Sequence, residues 1–221
     1  MTPPGLVLPA DRLRSLFVTL EAAHGTHHWW PAETPFEVAV GAVLTQNAAW
    51  INVERAIANL RAANVLEPRA IVELEHDDLA ALLRPSGYFN LKANRLKSLC
   101  RWWLEAGGHD ALAARSTEVL RPELLAVHGV GPETADDILL YAFHRPVFVI
   151  DAYTRRILSR LGLIGGREGY EALRHAFERA LGPDVALFNA YHALIVIHAK
   201  ALCRPRPRCG DCPLSGECPT A

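Results

Sequence analysis

The stretch Leu124 to Arg156, LLAVHGVGPETADDILLYAFHRPVFVIDAYTRR, limits the fold most tightly, because it sets a Gly-Val-Gly turn between two helical runs and a solitary carboxylate after them. Leu124, Leu125 and Val127 close one amphipathic segment. Gly129 and Gly131 provide backbone freedom for a tight turn, and Pro132 stands where a first helical residue is tolerated. From Glu133 toward Phe143, Ala135, Ile138, Leu139 and Ala142 recur at the three-and-four spacing of a helix with one buried face. Two helices joined in this way can point unpaired backbone N–H groups and a positive helix end at an anion, of which a nucleic-acid phosphate is the commonest large one. An ordinary helical hairpin is the competing reading of this fragment taken alone.

The same spacing recurs along the chain. Pro9 to His24 reads as a helix with Leu13, Leu16, Phe17 and Leu20 on one side; Thr34 and Pro35 form an N-cap and first-turn pair for a helix through Val40 and Leu44. Thr45-Gln46-Asn47 interrupts, and a helix from Ala48 to Ala63 follows. Short helical pieces are expected at 70–74 and 77–83. A long helix then runs to Ala106 with Leu91, Leu96, Leu99 and Trp103 toward the core, and a short piece lies at 111–114. Pro146 to Ile150 is too apolar for a surface loop. Asp151 is an N-cap candidate for a helix through Ile157, Leu158 and Leu161, and helices at 168–181 and 184–202 complete the chain. With no strand alternation and no repeat, the expected class is all-α.

Half of the 221 residues are apolar, enough for a buried core, and no apolar run approaches membrane-span length. The N-terminus, MTPPGLVLPADRLR, lacks the pattern of a signal peptide, so a cytoplasmic protein is expected; it is also expected to be a monomer. The formal charge of −1 gives no bulk attraction to nucleic acid, so any such contact must come from local patches. KALCRPRPR at 200–208 is one such patch. Lys92, Arg95, Lys97 and Arg101 share a helical segment, which reads more simply as a solvated face. The cluster His27-His28-Trp29-Trp30-Pro31 is unusual: two adjacent Trp cannot share one helix face, so one is expected to line a groove if it is not core.

Four of the five cysteines fall in the last nineteen residues, at Cys203, Cys209, Cys212 and Cys218, among Pro and Gly. Disulfides do not suit a reducing compartment, and the segment has no apolar face of its own, so a metal centre is expected. Tetrahedral Zn and a [4Fe–4S] cluster both fit four thiolates. Cys100, alone on an amphipathic helix, reads as a core residue.

Hairpin, aspartate and cysteine loop, in that order, resemble the endonuclease III superfamily of DNA glycosylases over nearly the whole chain. VHGVGPETAD resembles its helix-hairpin-helix, VFVIDAYTRR its catalytic aspartate segment, and IHAKALC with the cysteine loop its iron–sulfur terminus, here with five rather than six residues between the first two cysteines. The resemblance implies a helical domain at 30–145, a second made of 1–29 with 146–221, and double-stranded DNA carrying a damaged base in a cleft between them. It implies Asp151 as the catalytic residue and Cys203, Cys209, Cys212 and Cys218 as ligands of a [4Fe–4S] cluster. It also implies Gly129, Val130, Gly131 and Thr134 as the DNA-gripping hairpin, Gln46 as the side chain entering the space of the extruded base, and Tyr88 as the wedge beside the orphaned partner.

Family members that also cut DNA use a hairpin lysine as Schiff-base nucleophile; Glu133 holds that place here, and a carboxylate cannot form an imine. The expected enzyme is therefore a monofunctional DNA N-glycosylase, a hydrolase with weak or absent lyase activity. Glu133 also suits a helix N-terminus, the simpler account of it. Trp29, Trp30 and Trp50, with Glu133 nearby in the family layout, resemble the base pocket of the branch that removes 3-methyladenine and related alkylated purines. Excision of oxidised or mismatched pyrimidines, and a non-catalytic DNA-binding module, are the alternatives.

Overall fold

Apolar periodicity becomes helix in this chain wherever a start signal precedes it. The computed structural model describes residues 5–25 and 30–221. Helix α1 (Ala10–His24) is followed by α2 (Pro35–Leu44), whose first turn is closed by Thr34: its Oγ1 accepts the Glu37 N–H at 3.1 Å. Then come α3 (Trp50–Ala62), α4 (Pro68–Glu73), α5 (His76–Leu83), α6 (Phe89–Glu105), α7 (Gly108–Ala113), α8 (Thr117–Ala126) and α9 (Pro132–Asp137). The series ends with α10 (Ala152–Arg160), α11 (Tyr170–Leu181) and α12 (Val185–Ala201). No strand occurs among the described residues, and no helix there is long and apolar enough to cross a membrane.

Two compact units divide the chain. In Trp30–Arg145, α6 packs on α4 and α5, while α2 lies against α3, α6 and the turn after α9. Phe36 to Leu44 is buried throughout, so α2 has no solvent face. The other unit takes Pro146–Ala221 with the described part of Met1–Trp29. There α12 packs on α1 and α10, and Tyr191 donates its hydroxyl to the Leu13 carbonyl at 2.8 Å. Phe148 stacks on Phe177 with centroids 3.8 Å apart, and Val147 to Ile150 of the apolar 146–150 segment are buried in the core.

Several expectations need correction. The basic segment of α6 is a solvated face only at Arg101, which is exposed: Lys92 is 1% exposed and its Nζ donates to the carbonyls of Leu44 and Ser86 at 2.8 and 2.6 Å. Lys97 donates to the carbonyls of Val72 and Leu74, and Arg95 to the Gln46 side chain. Lys92 and Lys97 bury their stems and point their ammonium groups at carbonyls, and Arg95 points Nη1 at an amide, a use that charge counting does not separate from solvation. Leu91, read as core, is exposed.

The run after the hairpin is buried on all sides from Thr134 to Phe143 rather than on one face, and α9 passes into a wide π turn over Ile138–Ala142. Gly131 is extended at φ −94°, so only Gly129, at φ +87°, uses glycine's conformational freedom. Helix α11 starts at Tyr170 because the Glu168 carboxylate instead accepts the N–H groups of Gly165 and Gly166, at 2.6 and 2.8 Å. Cys100 is core, and burial pushes its thiol up to about 12.

Candidate active site and cysteine centre

Asp151 is the N-cap of α10. Its Oδ1 accepts the Thr154 N–H at 2.6 Å, while its Oδ2 lies 3.6 Å from Nε2 of His192. Both side chains are buried. Burial alone would raise the Asp151 pKa, but the neighbouring His192 and the hydrogen bond from the Thr154 N–H outweigh it and hold the carboxyl below its usual value. Burial lowers the Lys200 pKa, an effect only partly offset by this carboxylate, which lies within its electrostatic reach. The Lys200 ammonium and the Arg156 guanidinium both pack on the Tyr153 ring, at 5.9 and 5.1 Å. Sequence reasoning missed His192, because a histidine among Ala193, Leu194 and Ile195 reads as a core residue; only the fold sets it beside Asp151.

In the other unit the hairpin and the Gln46 turn are joined. Gln46 Nε2 donates to the Gly129 carbonyl at 3.0 Å and to Thr134 Oγ1 at 2.9 Å, and Arg95 holds its Oε1. A Cβ on Gly129 would stand 2.2 Å from Arg95 Cγ, a second reason for glycine there. Gly131 faces open space. Val130 donates its N–H to the Val127 carbonyl, closing the turn, and is buried. Arg121 grips the fully buried Asp136 with two hydrogen bonds, Nε to Oδ1 at 2.7 Å and Nη2 to Oδ2 at 3.1 Å, tying α8 to α9 across the hairpin. Tyr88 is 69% exposed and sits at φ +45° ahead of α6, a left-handed backbone that disfavours a residue with a Cβ by about 1–2 kcal/mol.

Trp30 and Trp50 meet edge to face at 5.3 Å, and Trp30 also lies 4.9 Å from the buried Tyr141, which sequence reasoning did not single out. The Trp30 ring covers Gly41, where a Cβ would be 3.2 Å from it, and its Nε1 is buried with no acceptor among the described residues. Glu133 is exposed on the first turn of α9. Trp29 lies outside the described residues.

Arginines fasten the cysteine tail. Arg160 Nη1 donates to Cys203 Sγ at 3.2 Å and to the Arg204 carbonyl at 2.7 Å; its Nη2 donates to the Pro205 carbonyl at 3.0 Å. Arg156 donates to the Cys203 carbonyl at 2.8 Å. The Cys212 thiol is raised by burial and further by Cys203, Cys209 and Cys218, so Cys212 lies within electrostatic reach of the other three cysteines. His198 Nε2 lies 3.6 Å from Cys212 Sγ, and burial with the neighbouring His24 pushes the His198 pKa down to about 4. Among the described residues, no three His, Cys, Asp or Glu side chains close on a single-ion position.

A helical hairpin, a helix-capping aspartate and a cysteine tail on an all-α scaffold define the endonuclease III-like class of DNA-repair proteins. The family model described as HhH-GPD superfamily base excision DNA repair protein matches residues 40–183, and the chain belongs to that family. It is 48% identical over 204 residues, 91% of this chain and 93% of the other, to the Methanocaldococcus jannaschii protein named "Putative DNA repair glycosylase". It is 30% identical to endonuclease III of Thermotoga maritima, over 80% of this chain and 79% of that one. Among solved structures, the H. pylori 3-methyladenine DNA glycosylase bound to 1,N6-ethenoadenine is 31% identical with a TM-score of 0.77, covering 87% of this chain and 98% of that one.

Proposed function

We propose that this DNA glycosylase hydrolyses the N-glycosidic bond of an alkylated purine, 3-methyladenine or a relative of it, in double-stranded DNA, and leaves the abasic strand uncut. The observation that carries the substrate class is the aromatic cluster of Trp30, Trp50 and Tyr141. Electron-rich faces attract a purine made cationic by alkylation, and such a base leaves with little acid assistance. Stacking also offsets part of the few kcal/mol spent in extruding the nucleotide. The 31% identity to an enzyme solved with 1,N6-ethenoadenine supports the same class.

Asp151 would supply the chemistry. An ionised carboxylate stabilises the oxocarbenium-like sugar as the bond lengthens and orients or deprotonates the attacking water. Gly129, Val130, Gly131 and Thr134 would hold phosphate, the open space at Gly131 leaving its backbone approachable. Gln46 and the exposed Tyr88 would occupy the space vacated in the duplex. With Glu133 at the lysine position no imine forms there.

Cys203, Cys209, Cys212 and Cys218 would hold a [4Fe–4S] cluster. The gathered sulfurs and the Arg160 N–H aimed at Cys203 suit a thiolate-ligated centre. Bound, the cluster cross-links a segment that has little apolar packing of its own.

Duplexes carrying single defined lesions, assayed separately for free base and for strand breaks, test this reading. Base release from alkylated purines without breaks is expected, lost by a factor of at least about 10³ in Asp151→Asn. A borohydride-trapped covalent adduct with prompt strand cleavage would refute the monofunctional assignment, and release confined to pyrimidine lesions would refute the substrate class.

A further inference from the structure

His24, at the C-terminal end of α1, meets His198 of α12 edge to face, its Nε2 lying 3.0 Å from His198 Nδ1. His198 has no exposed surface, and its other ring nitrogen is the one 3.6 Å from the Cys212 sulfur. A neutral imidazole carries a single ring proton, so the two contacts fix each other. When His198 Nδ1 accepts the His24 N–H, the His198 proton must sit on Nε2 and face the sulfur. The opposite tautomer would set a lone pair against a thiolate in a space closed to water, where an unpaired contact of this kind is costly.

We infer that His24 and His198 form a relay that gives Cys212 an N–H···S hydrogen bond and thereby raises the reduction potential of the cluster, an assignment that rests on the iron–sulfur reading above. An N–H donor withdraws charge from a ligating sulfur and so stabilises the more negative, reduced state; hydrogen bonds to sulfur are among the main settings of such potentials. Each residue has a separate share. His198 touches the sulfur, and His24 acts only through His198, by choosing its tautomer.

The full chain as purified is assayed for iron, sulfide and zinc, and its potential is measured by film voltammetry beside His198→Leu, His198→Gln and His24→Leu. The potential is expected to move negative in His198→Leu, to recover in His198→Gln, whose amide N–H reaches toward the same sulfur, and to move part of the way in His24→Leu. Loss of the visible cluster absorbance to a chelator is expected to quicken about tenfold in His198→Leu. Since His198 is buried, a His198→Leu protein that fails to fold leaves His24→Leu, at a half-buried position, to carry the test, with unchanged helical circular dichroism as its control. Iron-loaded protein whose potential is the same in every folded leucine variant overturns the relay and leaves the cluster standing. Zinc, or no iron, in the unaltered chain overturns both.

Discussion

At Asp151, burial and ionisation pull against each other, and the Thr154 N–H with His192 decides for ionisation. A carboxyl whose folded pKa lies below its unfolded value adds stability that is complete above the unfolded pKa and is lost as pH falls through the folded one. The carboxylate stays charged on the acid side of neutrality, so the rate of base release controlled by Asp151 is expected to stay level from neutral pH down to about 4. A single-turnover pH profile checks this, and an acid limb falling near pH 6 would show that another group governs the step. What sequence could read here was the local part: Asp151 three residues before Thr154 is an N-cap pattern complete within one turn. His192 and Tyr141 were not legible, because each matters through a neighbour distant in the chain and is surrounded locally by ordinary core residues.

Helices were legible where periodicity and caps agreed, as at Thr34 before α2, and least legible where one side chain from elsewhere takes over. Lys92 is the clearest instance: it reads as one of four surface cations, yet it ties the last carbonyl of α2 and the carbonyl of Ser86 to α6. Burial, then the nearby Arg95 charge, lowers its pKa to about 8, still charged at neutral pH and suited to a helix C-terminus. Lys92→Met keeps the volume but leaves two carbonyls without their donor, and a loss of about 1–3 kcal/mol is expected. Urea unfolding measures it, as a lower midpoint at unchanged slope. The hairpin shows the same limit from the other side. Its glycines announced a turn, but that Gly129 alone needs φ > 0, and that Arg95 leaves no room for a Cβ beside it, follows only from how α6 lies behind the turn.

At the scale of the whole chain, the last nineteen residues stand apart. Of residues 203–221 only Leu214 is buried, and the segment is held by arginine hydrogen bonds to its carbonyls and sulfur. Stripping the bound metal with a chelator is therefore expected to open 203–221 to protease before the helices of 30–145, an order that timed digestion with mass mapping reads directly. Simultaneous loss of both would show that the tail does not unfold on its own.

Arginine outnumbers lysine twenty to three in this chain, and the fold has already engaged two of the three: Lys92 is sealed in the core and Lys97 is half-buried against two carbonyls. Lys200 alone among the side-chain amines is exposed. Amine-directed labelling of the native protein thus has essentially one side-chain address, beside Asp151. A reductively fixed sugar adduct at any lysine would map to a single peptide, so the chain carries its own internal marker for misreading as a lyase.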